Sequence, residues 1–419
     1  MLSFGIINYL SQNKEVVSMT QGNATLIIDF GNSETRGTVL YGKDSTTGRY
    51  HEKSFALSNR FYPVEENYVP SADYSDDTST ILKCSAVVNG ESFDGTFANG
   101  EVQLKEFNVA PLRPSAIEKK YKSFTTALSY ELAMLYAHKA VARMARVSSI
   151  QSLDITWSVV ALLPPGDFEI GKEEYKKLIE SIEYVKTTYL ACDMKINLRK
   201  VTVLPEGFCA FIGCVFDKGH IIRPEQQYLL EETTLVFDIG AGTTDIMVVK
   251  DNKTINTTMY TIEKGGNNVT QSVKKELRRM GIVIQETELI TGITSGTIKD
   301  GAKVVDISAI VNKAKSELAS MLVSETKNYF EDNQFPIRSI GRVLVCGGGA
   351  IEVEGGKMCA VSTEIIKFLK NLSPNVEMVE YPCRQVTKYN EDGTTYKAMD
   401  KISPRDLNIV GASILAELL

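Results

Sequence analysis

LVFDIGAGTTDIMVV (235–249) and LIIDFGNSETRGTVL (26–40) lie over one another without a gap, although half the chain separates them. Each runs through an apolar strand, an Asp, one apolar residue, a Gly, a short polar turn and a second strand. One such turn by itself reads as an ordinary hairpin. Two matched copies at this separation point to a duplication and so to two related lobes.

The repeat has the parts of a phosphate and magnesium site. A buried strand ending in Asp29 or Asp238 puts a carboxylate at its tip. Magnesium takes oxygen ligands and keeps several waters, so these two carboxylates are expected to hold it through water. Gly31 and Gly240 let backbone come close to a phosphate. The turn N–H groups of Asn32 and Ser33 in one copy, and of Ala241, Gly242, Thr243 and Thr244 in the other, supply donors. The two threonines add hydroxyls.

Moving outward, Gly347, Gly348 and Gly349 follow the strand of VLVC. Three glycines in series cost conformational entropy and add no packing. They read either as a loose strand-to-helix turn or as a close backbone approach to adenine or its ribose. Lys264, Gly265 and Gly266 make a second Gly-rich helix entry, suited to a ribose or base contact. Glu206, in VLPEGFCAF, sits at a strand-to-helix junction. From local sequence alone it reads as an acid in a first helical turn; the functional reading is a carboxylate that orients a water for attack on a terminal phosphate.

Strands are expected at 24–29, 36–41, 81–89, 152–163, 198–204 and 342–346, and a hairpin at 234–250. Helices are expected at 121–147, 172–190, 207–216, 267–280, in much of the stretch to 328, and at 404–419. Residues 43–115 read as polar and turn-rich, with a Gly-rich stretch at 90–100. Alternating strands and helices in both halves predict an α/β fold.

The 419 residues carry a net charge of −6. That balance argues against a surface that grips nucleic acid directly, which needs clustered Lys and Arg; Lys274, Lys275, Arg278 and Arg279 read as a solvated helix face. The 7 cysteines have no metal-ligand spacing and fit reduced thiols in a cytoplasm. The 3 histidines are isolated from one another, which leaves zinc and histidine-triad chemistry without support. No apolar run reaches membrane-spanning length. The apolar MLSFGIINYL start lacks the marks of a signal peptide, and a membrane partner is not expected.

Taken together, the motifs resemble the actin, hexokinase and Hsp70 superfamily. Residues 26–40 look like its first phosphate motif, 235–249 like its second, and VLVCGGGAI (343–351) like its adenosine motif. VLPEGFCAF (203–211) and PRDLNIVGASILA (404–416) look like its two connecting helices. Within the superfamily the chain is most similar to bacterial actin-like proteins of the ParM and StbA group, in its length, its Pro–Glu pair and AVVNGESFDGTFANG (86–100). It lacks the lysine that sugar kinases and Hsp70 carry in strands near the first phosphate turn.

The resemblance implies an actin-like, ribonuclease H-like two-lobe fold. After an extension at 1–23, lobe I would take 24–204, with a small insert near 43–115 and completion by 402–419. Lobe II would take 205–401. It further implies ATP or ADP with Mg2+ in the cleft and Glu206 polarising the attacking water. The function implied is a self-assembling ATPase, with possible use of GTP, whose filament segregates plasmid or phage DNA through a DNA-binding adaptor. A small-molecule kinase or phosphatase, and a membrane-associated scaffold, remain the rival readings.

Overall fold

A computed structural model gives the fold and describes residues 20–31, 34–43, 46, 48–66, 68, 80–88, 91–99, 112, 119–147, 153–187, 192–301, 303–350, 360–389 and 395–419. The first copy of the repeat forms β1 (Thr20–Phe30) and β2 (Glu34–Lys43), an antiparallel pair, with β3 (Tyr50–Ser58) on the far side of β2. A smaller antiparallel sheet is inserted next: β4 (Phe61–Val64), β5 (Thr80–Val88) and β6 (Glu91–Asn99). The chain then returns as β7 (Leu153–Leu163), parallel to β1. It adds β8 (Tyr184–Thr187) and β9 (Cys192–Lys195) to the small sheet, and β10 (Asn197–Pro205) parallel to β7. The main sheet therefore runs β10-β7-β1-β2-β3.

The second half repeats this plan. A short hairpin, β11 (Phe216–Asp217) and β12 (Ile221–Ile222), precedes it. The second copy of the repeat forms β13 (Thr234–Ile239) and β14 (Thr244–Lys250), antiparallel. β15 (Lys253–Thr254) and β16 (Tyr260–Ile262) pair with the far edge of β14. A hairpin of β17 (Thr297–Asp300) and β18 (Lys303–Asp306) follows. Then β19 (Arg342–Cys346) runs parallel to β13, and β20 (Glu377–Met378) parallel to β19. A last hairpin joins β21 (Cys383–Tyr389) to β22 (Thr395–Lys401). In each main sheet the hairpin's first strand is central, with its antiparallel partner on one side and two parallel strands on the other. β13 is buried at every residue, as expected of a strand covered on both faces.

Eight helices of the described residues cover these sheets: α1 (Phe124–Ala145), α2 (Pro165–Glu180), α3 (Phe208–Val215), α4 (Gly266–Arg279), α5 (Glu286–Ser295), α6 (Ser308–Asp332), α7 (Val361–Lys370) and α8 (Leu407–Ala416). One apolar core packs α1 and α2 on the first sheet, around Trp157, Tyr130 and Tyr175. Another packs α4, α6 and α7 on the second, around Phe237, Leu318 and Phe330.

Three expectations are corrected. The helix expected at 172–190 begins at Pro165, where a first-turn proline loses no hydrogen bond, and it ends at Glu180. Tyr184–Thr187 then alternates exposed and buried residues as a strand; residues 188–190 lie outside the described residues. The Gly-rich stretch expected at 90–100 holds strand β6, where Gly95 makes room for the ring of Phe97. The helical region expected to run to 328 is interrupted by the β17–β18 hairpin.

The closest helix contact is between α3 and α8. A Cβ built on Gly411 would lie 1.7 Å from the Cys209 carbonyl oxygen, and one on Gly213 would lie 2.6 Å from that of Leu407. The two backbones touch because neither glycine carries a side chain. Alanine normally stabilises a helix interior over glycine by about 0.5–1 kcal/mol. Here Gly411→Ala is expected to do the opposite, at about 1–3 kcal/mol or more for the enforced separation. Thermal unfolding without nucleotide checks the sign; a variant that melts at or above the parent temperature contradicts the crossing.

Candidate functional site

In both copies of the repeat the same backbone hydrogen bond closes the strand connection. Gly31 N–H donates to the Glu34 carbonyl at 3.0 Å, and Gly240 N–H to that of Thr243 at 2.8 Å. Four residues thus join Phe30 to its pair Thr35, and four join Ile239 to its pair Thr244. Asp29 pairs across the strands with Arg36, and Asp238 with Asp245. The turns face one cleft of about 700 Å3, a size suited to a small ligand.

The cleft is lined by Asp29, Gly31, Glu206, Asp238, Gly240, Ala241, Thr243, Gly266, Gly347, Gly348 and Gly349 among the residues expected from sequence. Asn32 and Ser33 lie outside the described residues. Gly242, Thr244, Lys264 and Gly265 do not line it. Thr244 is buried, and its hydroxyl donates to the Lys264 carbonyl at 2.7 Å, away from any ligand. Gly265 is needed for packing: its Cβ would lie 2.6 Å from the Gly240 carbonyl oxygen.

That packing redirects the helix entry at 264–266. Gly266 N–H donates to the Gly240 carbonyl at 2.9 Å and Asn267 N–H to that of Ala241 at 2.7 Å. The orphan donors that begin α4 therefore hold the turn between β13 and β14 in shape. The three glycines at 347–349 also divide in role. Gly347 has φ +82° and a Cβ there would meet the Asp238 carboxylate at 2.3 Å; one at 349 would meet Ile239 at the same distance. A Cβ on Gly348 would approach only the Arg405 side chain, at 3.3 Å. Gly348 is the one of the three that packing leaves open.

Glu206 does not cap its helix. It stands between Pro205, the last residue of β10, and the α3 cap, Gly207, whose N–H donates to Asn408 Oδ1 at 2.9 Å. The Glu206 carboxylate instead turns into the cleft, where it is buried and Lys120 Nζ lies 2.6 Å from Oε1. The same ammonium is 3.6 Å from Asp29 Oδ1. Burial opposes its charge, but Glu206 and Asp29 more than offset this and hold its pKa above the ordinary lysine range. Burial pushes Glu206 up, Lys120 draws it down, and Asp29, Asp245 and Asp238 push it up again.

Asp238 is raised to about 6 by burial and by Asp29. Asn408 Nδ2 donates to its Oδ2 at 2.5 Å, so one amide ties Asp238 to Gly207. Asp245 is raised to about 7, chiefly by burial, although the Thr261 hydroxyl donates to it at 2.5 Å. Five carboxylates thus lie on the cleft, those of Asp29, Glu34, Glu206, Asp238 and Asp245, and Lys120 bonds to two of them. Among the described residues no three His, Cys, Asp or Glu close into a direct cage for a metal. Asp29 and Asp238 supply carboxylate oxygens, the donor type that magnesium takes.

Lys120, Arg36, Arg405 and Asn408 also line the cleft and were not expected from sequence. Arg36 binds Glu34 at 2.8 Å and Asp406 at 2.5 Å. The gap-free overlay carried a signal for it, because Arg36 stands where the other copy has Asp245. Asn408 falls within the quoted PRDLNIVGASILA. Lys120 lies outside every motif.

Asp245 gives a test of this electrostatics. An acid with a higher pKa folded than unfolded binds more protons in the folded state, so its contribution to stability falls as pH rises between 3.8 and about 7. Asp245→Asn keeps an acceptor for Thr261 and removes the titration. Relative to the parent it is expected to gain on the order of 1 kcal/mol in urea unfolding on going from pH 5 to pH 8 without nucleotide. A constant difference across that interval contradicts the charged cluster.

Residues 236–355 match the family model described as archaeal actin homologue MreB-like, C-terminal. No curated protein matches the chain by sequence. Among solved structures, the actin-like protein Alp7A is 15% identical, with a TM-score of 0.62 over 95% of this chain and 97% of that one. The archaeal actin homolog Ta0583 is 14% identical, with a TM-score of 0.61 over 94% and 99%; its complex with ADP is also similar, with a TM-score of 0.57. ParM of Clostridium botulinum, solved as a 15-stranded filament, is 14% identical, with a TM-score of 0.55 over 95% and 100%. The chain has the actin-like fold.

Proposed function

We propose that this protein is an ATPase that polymerises with ATP bound and weakens its own filament by hydrolysis. The observation that carries the reading is the pair of equivalent turns, each beside a strand-end Asp, facing one cleft that also holds Glu206. The lobes, 24–204 with 402–419 and 205–401, would close on the nucleotide. Backbone N–H groups of both turns would bind phosphate oxygens, and Gly348 would pass under the nucleoside. Bound magnesium would offset the triphosphate charge, with Asp29 and Asp238 holding it through water. Support for nucleotide and for self-assembly comes from the similar fold of Ta0583, solved with ADP, and of ParM, solved as a filament.

In the hydrolytic step Glu206 accepts a proton from a water as its oxygen attacks the terminal phosphorus. The new oxygen–phosphorus bond forms while the bond from that phosphorus to the bridging oxygen breaks, releasing phosphate and ADP. The filament would act in the cytoplasm and move plasmid or phage DNA through a DNA-binding adaptor, since a net charge of −6 does not favour direct contact with DNA. No helix among the described residues is long and apolar enough to cross a membrane.

Assembly is tested by light scattering with magnesium. Scattering should rise above a critical concentration with ATP and rise less, or reverse, with ADP. A protein that stays monomeric at about 10–100 μM, where weak contacts already associate, with every nucleotide would remove the filament reading.

Catalysis is tested separately. Glu206→Gln should bind ATP and assemble but release phosphate ~10²–10⁴-fold more slowly, giving longer-lived filaments. Phosphate release at the parent rate would take Glu206 out of the chemistry.

A further inference from the structure

Three neighbouring parallel strands end side by side, and each leads to a buried or half-buried carboxylate, those at the ends of β1 and β10 lining the cleft. Asp29 is at the end of β1, Asp167 in the first turn of the helix after β7, and Glu206 just after β10. Two consecutive lysines bind all three. Lys119 Nζ is 2.9 Å from Asp167, and Lys120 Nζ reaches Glu206 and Asp29. The next residue, Tyr121, is buried over Gly171 of α2, where a Cβ would lie 2.3 Å from its ring. The turn Lys120–Lys122 is thereby fixed to the strand ends, and Ser123 behind it caps α1, whose first three turns are almost wholly buried.

We propose that Lys120 is a positioning residue for hydrolysis, aiming the Glu206 carboxylate at the water it deprotonates. The proposal rests on the reading of Glu206 as the base. The arrangement suits the task. Glu206 directly follows β10 and its N–H donates to the Leu163 carbonyl of β7 at 2.9 Å, so its backbone is set by the sheet, but a glutamate side chain still has rotamers to choose from. The ammonium 2.6 Å from Oε1 selects one of them and leaves Oε2 for the water. An ammonium on a long stem would lose this aim if its turn moved, and Lys119 and Tyr121 prevent the movement. Asp29, on the same ammonium, links the aim of the base to the first phosphate turn two residues on.

A double-mutant cycle with Glu206→Gln tests it, read by single-turnover phosphate release and by calorimetric affinity for a slowly hydrolysed ATP analogue. Lys120→Met is expected to slow release by ~10²-fold, the scale of a small misplacement of a reacting group, with affinity changed less than about threefold. Added to Glu206→Gln it should cost nothing further, because the group it aims is gone. In the nucleotide-free protein Lys120→Met should melt earlier than the double variant, since it leaves a buried carboxylate without its partner. Lys120→Arg, which keeps a cation, should recover part of the rate and carries the cycle if Lys120→Met does not fold. Parent-rate release by Lys120→Met, a full further loss in the Glu206→Gln background, or a loss of affinity as large as the loss of rate would each overturn the proposal. Parent-rate release by Glu206→Gln alone would instead overturn the base on which it rests.

Discussion

The contact of α3 with α8, backbone against backbone, fixes most of what surrounds the cleft. Helix α3 starts two residues after Glu206, and α8 carries Asn408 one turn before Gly411. Holding the helices at contact distance brings Asn408 within reach of both Gly207 and Asp238. A side chain at either glycine would separate the helices and take that amide off both partners. The dry interior around the crossing adds Phe211, Leu407 and Ile414 to Val236 and Leu344 of the second sheet, so α3 and α8 pack as part of its core.

On this frame the fold assembles an electrostatic conflict. Buried carboxylates repel one another and lose solvation, and such a cluster persists only when other packing over-determines it. The strands do so here: each acid sits at a strand end whose position is set by sheet pairing. Asp238 and Asp245, raised to about 6 and 7, carry the cost. A ligand that brings cationic charge would relieve it.

The α/β fold was legible because each copy of the repeat is local and its pattern plain: β13 and β14 are mostly apolar runs, each with an Asp near the Gly turn between them. The long helix α1 was legible from its helix-forming composition. Less legible were features set by contacts distant in sequence. β8 looked like the end of a helix because Tyr184–Thr187 is strand only where β5 and β9 pair with it. Gly265 looked like a ligand contact but packs against the second turn instead, while Gly266 both bonds to that turn and lines the cleft. The cleft gathers most of the residues the motifs named, since a motif marks where backbone must bend or approach. Lys120 carries no such mark, because its role depends on a meeting with Glu206, 86 residues away.

Among the matched positions of the duplicated hairpins, one carries opposite charges on the cleft, Arg36 in the first and Asp245 in the second, and this bears on symmetry. A cleft walled by two copies of one element presents a ligand with two faces of the same shape. A molecule with unlike ends could then lie in either sense with nearly equal energy. One cation against one anion breaks that degeneracy, so the two walls become a head and a tail.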